Sequence, residues 1–384
     1  MLRLRKIVSL SSAYFFQKLY FTLEKHAKHI ALYPFSLLYG VVTGIRNWLF
    51  ENEILKSTSF KIPIISVGNL AVGGTGKTPH TEFILSTLQD NCKIAVLSRG
   101  YKRKTKGFQL ADSNSNSLTI GDEPFQIYQK FPKVTIAVDE KRVHGVKTLQ
   151  SLLPDLQLIV LDDAFQHRYI QPGLSILLTD YSNLYSRDML LPAGSLREWH
   201  SGSKRANIIV VTKCPIHISP IDMRIIESEL KPENNQLLFF SSFVYNEIVP
   251  VFQDTETGRW TLNRIKEENA AIMLVAGIVS PEPIVDYLNA FSHKIECLFF
   301  KDHYDFQQKD FGQIAAKFEA IQATEKILVV TEKDAARLKA NPNFPENLKS
   351  KTYALPIRVE ILHNQESLFI QKIKDYVVEN SRNR

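Results

Sequence analysis

The 384-residue chain has few cysteines and no long uncharged hydrophobic run. Its three cysteines, Cys92, Cys214 and Cys297, stand far apart and form no C-x-x-C pair. This spacing indicates neither a disulfide framework nor a zinc site, and it favours a reducing compartment. The basic N-terminus is not followed by a long apolar core with a small-residue cleavage site, which argues against a secretory signal. The sequence also has no internal repeat and no extended low-complexity segment.

Acidic residues are scarce at the N-terminus, where Glu24 stands alone among the first 29 residues. The apolar run that follows begins with Pro34, a favourable helix start, and keeps helical spacing to Phe50. It is at the short limit for spanning a bilayer, and Arg46 interrupts it. We therefore predict an interfacial anchor helix, and a helix packed on the core is the alternative. For the basic residues that precede it, an organellar transit peptide stays open as an alternative. The N-terminal cations are Arg3, Arg5, Lys6, Lys18, Lys25 and Lys28.

A glycine-rich segment at 68–79 lies between a β-branched apolar run and a stretch of helical spacing. Strand, glycine-rich turn, Gly-Lys-Thr and helix are the layout of a P-loop, which binds nucleotide phosphates and Mg²⁺. Lys77 would reach the β- and γ-phosphates of ATP, and the Thr78 hydroxyl would bind Mg²⁺. The usual first glycine of the motif is Ala71 here, so a turn that binds nothing is the alternative. The other loop residues predicted to bind ATP are Gly73, Gly74, Thr75 and Gly76.

From residue 60 onward, apolar runs alternate with stretches of helical spacing, which is typical of a parallel sheet with helices on both faces. We predict an α/β fold: a P-loop NTPase parallel sheet flanked by helices, a smaller second α/β lobe and an N-terminal apolar anchor helix. The predicted divisions are 1–55 (basic N-terminus and membrane-associating helix), 56–245 (P-loop core), 246–262 (linker) and 263–384 (smaller lobe and tail helix). The predicted strands are Ile62–Val67, Lys93–Leu97, Val134–Ala137, Leu158–Leu161, Leu174–Thr179, Asn207–Val211, Ala271–Val275, Glu296–Phe299 and Lys326–Val330.

An apolar run at Leu158–Leu161 ends in Asp162 and Asp163. An acid at a strand end beside a P-loop holds Mg²⁺ directly or through water. Several further polar clusters fall where β–α loops are expected, and parallel-sheet sites form at such loops. The residues alone do not decide which acid would accept a proton. These clusters are Ser98–Arg103, Gly121–Pro124, Gln166–Arg168, Pro192–Glu198, Phe300–Phe306 and Thr331–Asp334.

Seven motifs in this order closely resemble the tetraacyldisaccharide 4'-kinase family, the lipid A 4'-kinases. The likeness extends from the Pro34 helix to about Arg337, and a non-glycine residue at Ala71 is typical of that family. The resemblance implies a kinase that moves the γ-phosphoryl of ATP, with Mg²⁺, to the 4'-hydroxyl of an acylated glucosamine disaccharide 1-phosphate. The motifs are Val67–Thr78, Ser98–Tyr101, Gly121–Pro124, Leu161–Arg168, Pro192–Glu198, Asp302–Tyr304 and Thr331–Ala335.

The resemblance also implies residue roles. Asp122 would be the general base, and His303, from the second lobe, would orient it. Such a pairing implies that the lobes close around ATP and exclude water. Lys77 would be catalytic as well as phosphate-binding. The other implied site residues are Gln166 and Arg197 for the nucleotide; Thr78, Asp162, Asp163 and Glu198 for Mg²⁺; and Glu123, Arg142 and His167 as lining residues.

The implied substrate carries acyl chains in a membrane, whereas ATP is cytosolic. The resemblance therefore places the protein at the cytoplasmic face of a bacterial inner membrane, with the membrane surface as a partner and no obligate protein partner. Two other classes are weighed. A nucleotide-dependent switch is disfavoured because no Asn-Lys-x-Asp-like segment occurs, and the net charge of +7 is the one hint of nucleic-acid binding. No helix-turn-helix or aromatic-basic RNA platform accompanies that charge.

Overall fold

The structure, a computed structural model, describes residues 31–252, 260–278, 281–301, 304 and 306–381. Within these residues the strands form two sheets. The larger sheet has nine strands in the order β14-β8-β7-β6-β1-β5-β2-β4-β3, and β14 and β3 are antiparallel at its edges. Its strands are β1 (Ile64–Asn69), β2 (Ile94–Ser98), β3 (Gln109–Leu110), β4 (Thr135–Val138), β5 (Leu158–Asp162), β6 (Leu174–Asp180), β7 (Ile208–Thr212), β8 (Leu237–Tyr245) and β14 (Ile357–Ile361).

The smaller sheet has five strands in the order β11-β10-β12-β13-β9, with β9 antiparallel to β13. Its core lies against one long helix, since Phe311, Ile314 and Phe318 pack with Met273 and Leu328 of the sheet. This lobe therefore has a core of its own, as the second alternating region of the sequence predicts. Its strands are β9 (Val249–Pro250), β10 (Ala271–Ala276), β11 (Ile295–Phe299), β12 (Lys326–Thr331) and β13 (Thr352–Leu355).

Helices cover both sheets and connect their parallel strands. The first, α1, covers residues 31–51 within the described chain and includes the predicted Pro34–Phe50 helix. The others are α2 (Lys77–Leu88), α3 (Ser117–Ile120), α4 (Asp122–Lys130), α5 (Arg142–Leu152), α6 (Pro220–Leu230), α7 (Leu262–Glu267), α8 (Glu282–Leu288), α9 (Gln308–Ala320), α10 (Glu332–Ala340), α11 (Glu346–Lys349) and α12 (Glu366–Ser381).

The central strands of the large sheet are buried along their whole length, as in β1, β5 and β7. Their near-continuous apolar sequences follow from burial on both faces of a parallel sheet. Fully burying one such side chain, for example that of Ile65, contributes roughly 1.5–3 kcal/mol. The parallel order places the carboxyl ends of β1, β5 and β2 side by side. The polar residues that follow these strands therefore meet at one edge.

The C-terminal segment belongs to the large sheet, which corrects the predicted lobe 263–384. Strand β14 pairs with β8, and α12 packs its Phe369 and Ile373 into the core of the large sheet. The Tyr376 hydroxyl donates to the carbonyl of Ile64 at 3.1 Å and accepts from its amide at 2.9 Å. The predicted linker also contributes β9 to the smaller sheet. Local sequence patterns do not specify which distant strand a segment joins.

Helix α1 has an apolar face that the rest of the described chain leaves exposed. Most of the opposite face is built of small and polar residues, among them the buried Ser36 and Gly40 and the half-buried Asn47, and Phe50 is buried at its end. A helix packed on a core normally buries its apolar stripe, so this arrangement is reversed. In the described part of the chain, no helix combines the length and apolar character needed to cross a membrane. The exposed apolar residues are Leu32, Tyr33, Phe35, Leu37, Leu38, Val41, Val42, Ile45 and Trp48.

Candidate active site

The predicted P-loop connects the end of β1 to the start of α2 at Lys77. Gly76, the residue before the helix, has φ of 87°, and Gly73 has φ of 115°. Side chains rarely adopt such backbone conformations, and a Cβ on Gly76 would also lie 2.5 Å from the Phe243 ring. The turn is further held by the Thr212 hydroxyl, which donates to the carbonyl of Thr75 at 2.9 Å. The sequence thus places glycine where the loop geometry requires it.

His80 fixes the loop from within α2. Its Nδ1 lies 2.8 Å from the carbonyl oxygen of Gly76, and its Nε2 lies 2.9 Å from the Ser241 hydroxyl of β8. Because a carbonyl only accepts, Nδ1 must donate and Nε2 must accept from the serine. Burial lowers the pKa of His80 to about 4, so the ring is neutral at pH 7. Sequence reasoning missed His80, since nothing in its local pattern distinguishes it from a core histidine.

Lys77 and two acids stand at the carboxyl ends of β1 and β5. The Lys77 Nζ lies 3.8 Å from Asp163 Oδ1 and donates to the carbonyl of Gly73 at 3.4 Å. Burial alone would raise the pKa of Asp163, but Lys77 and Arg197 outweigh burial and lower it. Burial, with repulsion from Glu123 and Asp163, raises the pKa of Asp162 to about 7. The two neighbouring acids therefore differ in proton affinity, which sequence alone does not reveal.

The residues at the loop fit a nucleotide phosphate and Mg²⁺. A Cβ built on Gly73 or Gly74 would meet nothing within 4 Å, so the space in front of these residues is open. The buried Asp162 sits in the field of two other acids, where a divalent cation would favour its ionised form. The described residues contain no cluster of three or more His, Cys, Asp or Glu poised for a metal. Mg²⁺ bound to phosphates keeps several waters and needs few protein ligands, so the predicted ligands Thr78 and Asp162 are compatible with such a site.

Arg142, at the start of α5, is a buried cation at the same edge of the sheet. Only 3% of it is exposed, and its Nη1 donates to the carbonyl of Asp139 at 2.5 Å. Its Nε and Nη2 have no hydrogen-bond partner among the described residues. Burial lowers its pKa to about 10, which leaves the guanidinium charged at pH 7. Unpaired buried donors on a cation are costly, so this group is suited to an anionic ligand.

A second layer of side chains organises the loop after β5. Gln166 donates from Nε2 to the carbonyl of Asn69 at 2.7 Å and to Glu198 Oε1 at 3.2 Å. Arg197 donates from Nη1 to Asp163 Oδ1 at 3.0 Å and to Gln166 Oε1 at 3.2 Å. The structure therefore brings the predicted Gln166, Arg197 and Glu198 together with Asp163.

Glu198 is buried, and both of its oxygens accept hydrogen bonds. Arg205 Nη2 donates to Oε1 at 2.8 Å and to Oε2 at 2.9 Å, and Asn47 Nδ2 donates to Oε2 at 2.8 Å. With Gln166 as a fourth contact, the lone pairs of the carboxylate are engaged. The predicted role of Glu198 as a Mg²⁺ ligand stays a prediction, and these contacts favour a positioning role instead.

Asp122 lies at the first turn of α4, directly after Gly121, which has φ of 95°. Its Oδ2 is 2.6 Å from Nη2 of Arg337, which belongs to α10 next to the smaller sheet. Arg337 also contacts the buried Asp334 at 3.2 Å. His303 lies outside the described residues, so its contact with Asp122 stays a prediction. Sequence reasoning did not single out Arg337, Asn47 or Arg205, because each acts on a residue distant in the chain.

The comparisons with known proteins agree with the motif order. A family model described as tetraacyldisaccharide-1-P 4'-kinase matches residues 28–377. The chain is 49% identical over 362 residues to a tetraacyldisaccharide 4'-kinase of Bacteroides thetaiotaomicron, covering 92% of this chain and 95% of that protein. It is 45% identical over 349 residues to a tetraacyldisaccharide 4'-kinase of Flavobacterium johnsoniae, covering 91% of this chain and 97% of that protein. A crystal structure of LpxK from Aquifex aeolicus in complex with ATP matches with a TM-score of 0.68 and 26% identity, covering 91% of this chain and 99% of that chain.

The matched span includes the P-loop, the two acids at the carboxyl end of β5 and the whole smaller sheet. The sequence identities to these two relatives are high and extend over nearly the full length of this chain and of each relative. The predicted α/β fold and the predicted resemblance are both confirmed. This chain belongs to the tetraacyldisaccharide 4'-kinase family.

Proposed function

We propose that this kinase transfers the γ-phosphoryl of ATP to the 4'-hydroxyl of a tetraacyldisaccharide 1-phosphate, an acylated glucosamine disaccharide. The product would be the 4'-phosphorylated lipid A intermediate, lipid IVA. The observation that carries the proposal is the P-loop at the carboxyl end of β1, in a chain of this kinase family. The ATP complex of the Aquifex aeolicus relative supports the choice of nucleotide.

Lys77 and the loop amides of residues 73–76 would hold the phosphates of ATP. The Thr78 hydroxyl and the Asp162 carboxylate would hold Mg²⁺, with Asp163 beside them to keep Lys77 in place. When bound, Mg²⁺ supplies positive charge to the β- and γ-phosphate oxygens. Arg142, with its unpaired donors, would add a second cation for anionic substrate groups.

Asp122 would act as the general base. As the 4'-oxygen bonds to the γ-phosphorus, the bond from that phosphorus to the β–γ bridging oxygen breaks and ADP leaves. The hydroxyl proton passes to Asp122, whose position at a helix N-terminus and beside Arg337 keeps it available as a carboxylate. His303 would orient this carboxylate from the second lobe once the lobes close on ATP.

The acceptor would reach this site from a membrane surface on which α1 lies. The reversed amphipathicity of α1 supports this, because most of its large apolar side chains are exposed while Ser36 and Gly40 are buried against the protein. The cation-rich first 29 residues suit the anionic cytoplasmic leaflet of a bacterial inner membrane. The alternative of a helix packed on the core through its apolar stripe does not account for the exposed side chains.

Label transfer tests the proposal. Purified protein would be incubated with γ-labelled ATP, Mg²⁺ and a detergent-dispersed acylated glucosamine disaccharide 1-phosphate. We expect label at the 4' position, abolished in Lys77→Ala and kept in the control Lys133→Ala. Lys133 is paired only with the exposed Asp90 in the described contacts. It precedes the amino end of β4, whereas the P-loop follows the carboxyl end of β1. A folded protein that binds ATP but places no label in the lipid would overturn the proposed reaction.

A further inference from the structure

The inner face of α1 is joined to the loop that carries Arg197 and Glu198. Asn47 Nδ2 donates to Glu198 Oε2 at 2.8 Å, and the Tyr39 hydroxyl donates to the carbonyl of Arg197 at 2.8 Å. The indole of Trp199 donates in return to the carbonyl of Gly40 at 2.9 Å. Three consecutive loop residues are therefore bonded to one helix.

The helix and the loop pack so closely at Gly40 that a larger side chain does not fit there. A Cβ there would lie 2.6 Å from both the Leu190 side chain and the Trp199 ring. Further along the same face, Ser36 Oγ accepts from the amide of Ala193 at 2.9 Å. The helix thus lies directly against the loop, and its small residues permit the close approach.

The loop in turn is bonded to the P-loop. The amide of Val72 donates to the carbonyl of Ser195 at 2.7 Å, and the amide of Arg197 donates to the carbonyl of Leu70 at 2.7 Å. Arg197 also reaches Asp163, the partner of Lys77. A displacement of α1 would therefore be passed through two sets of backbone and side-chain bonds to the phosphate-binding residues.

We propose that α1 is a positioning element of the active site, acting through Asn47 on Glu198 and through Tyr39 on Arg197. This inference rests on the proposed function for its catalytic readout. Glu198 is buried, and without the Asn47 amide its Oε2 keeps a single described donor, Arg205. The carboxylate then loses one of the contacts that fix its orientation. Asn47 and Tyr39 are positioning residues, since neither lies on the P-loop or contacts Lys77, Asp162 or Asp163 in the described hydrogen bonds.

Two variants and one matched control test the proposal. Asn47→Ala removes the donor to Glu198, and Tyr39→Phe removes only the hydroxyl that reaches Arg197. Asn52→Ala is the control, because Asn52 is exposed at the end of the same helix and donates only to the carbonyl of Trp48 in the described contacts. We expect kcat to fall about tenfold in Asn47→Ala and about threefold in Tyr39→Phe, with the KM for lipid unchanged.

A second readout does not use the lipid acceptor. Calorimetric MgATP affinity is expected to weaken about threefold in Asn47→Ala, while its sedimentation with anionic phospholipid vesicles stays that of the wild type. Weaker MgATP binding in a protein that phosphorylates no lipid would keep the positioning role and reject the proposed reaction. Wild-type kcat and MgATP affinity in both variants would reject the positioning role. Tyr39→Phe keeps the ring, so it remains a test if Asn47→Ala does not fold.

Discussion

Arg337 of α10 meets Asp122 of α4 across the two sheets, with 2.6 Å between Nη2 and Oδ2. The same guanidinium contacts Asp334, whose Oδ2 accepts from the amide of Gly277 at 2.8 Å and from the Thr331 hydroxyl at 2.7 Å. Arg337 is therefore held by the smaller sheet while it contacts the carboxylate that we assign as the base. The position of that base depends on both lobes.

Replacing Arg337 by Met should lower kcat about tenfold, because Asp122 would lose a charge-assisted contact that fixes its orientation. MgATP affinity should change little, since Arg337 does not contact the P-loop in the described hydrogen bonds. The control is Lys339→Met, an exposed cation on the same helix. Steady-state kinetics with the detergent-dispersed lipid acceptor measure kcat. An unchanged kcat in Arg337→Met would contradict the prediction.

Replacing Asp122 by Asn should lower turnover by at least about a hundredfold, because an amide has no basic oxygen for the hydroxyl proton. MgATP binding should survive, because Asp122 stands on α4 and not in the loop that holds phosphates. Calorimetry and single-turnover kinetics separate the two effects. Wild-type turnover in this variant would remove Asp122 from the role of base.

Lys130 joins three helices. Its Nζ lies 2.7 Å from Glu82 of α2 and 2.8 Å from Glu332 of α10. Burial raises the pKa of Glu82, so this acid depends on its cation. We expect Lys130→Met to lower the free energy of unfolding by about 2 kcal/mol. The control Lys133→Met breaks a pair whose side chains are both 67% exposed, and should cost less than about 1 kcal/mol. Urea unfolding measures both, and equal losses would contradict the prediction.

The parts of the fold that the sequence predicts are those with a local signal. Buried strands such as β5 are continuous apolar runs, and the P-loop has glycine where φ is positive. All nine predicted strands have a counterpart in the structure, with ends shifted by at most a few residues. Five strands were not predicted: four short or edge strands, and the nine-residue β8, which lies between β14 and β7. These are β3, β8, β9, β13 and β14.

The parts that the sequence does not predict depend on pairing between distant residues. Strand β14 has an ordinary alternating sequence, and only its partner β8 shows that the chain returns to the large sheet. In the same way, Asn47 and Arg337 look like ordinary polar residues on helices until their partners Glu198 and Asp122 are in view. The motif resemblance named site residues, but it did not reveal what holds them.

His167 gives a pH dependence of stability. Burial, with the nearby cations Arg142 and Arg99, lowers its pKa to about 4 from the ordinary 6.5. The unfolded chain therefore takes up a proton below pH 6.5 that the folded chain refuses until about pH 4. The contribution of the His167 ring to the free energy of unfolding is fully present above pH 6.5 and is lost as the pH falls from 6.5 to about 4.

We expect His167→Asn to be less sensitive to acid than the wild type, with about 1–2 kcal/mol less loss in the free energy of unfolding between pH 7 and pH 4. The control His217→Asn replaces an exposed imidazole in the turn before α6 and should keep the wild-type pH profile. Urea unfolding at several pH values makes the comparison. Parallel profiles for His167→Asn and the wild type would show that the ring is not protected from protons.

The two faces of α1 should have separable functions. Leu38 and Val42 are 64% and 60% exposed on its outer face. Replacing both by Ser should lower the affinity for anionic phospholipid vesicles at least about tenfold, because apolar contact with the lipid is lost. Sedimentation with the vesicles measures this affinity. MgATP affinity should stay that of the wild type, because the inner face with Asn47 is untouched. Leu152→Ser, an exposed leucine on α5, is the control and should sediment normally. Full sedimentation of the double variant would place the membrane contact elsewhere, and a loss of MgATP affinity would show that the outer face also supports the site.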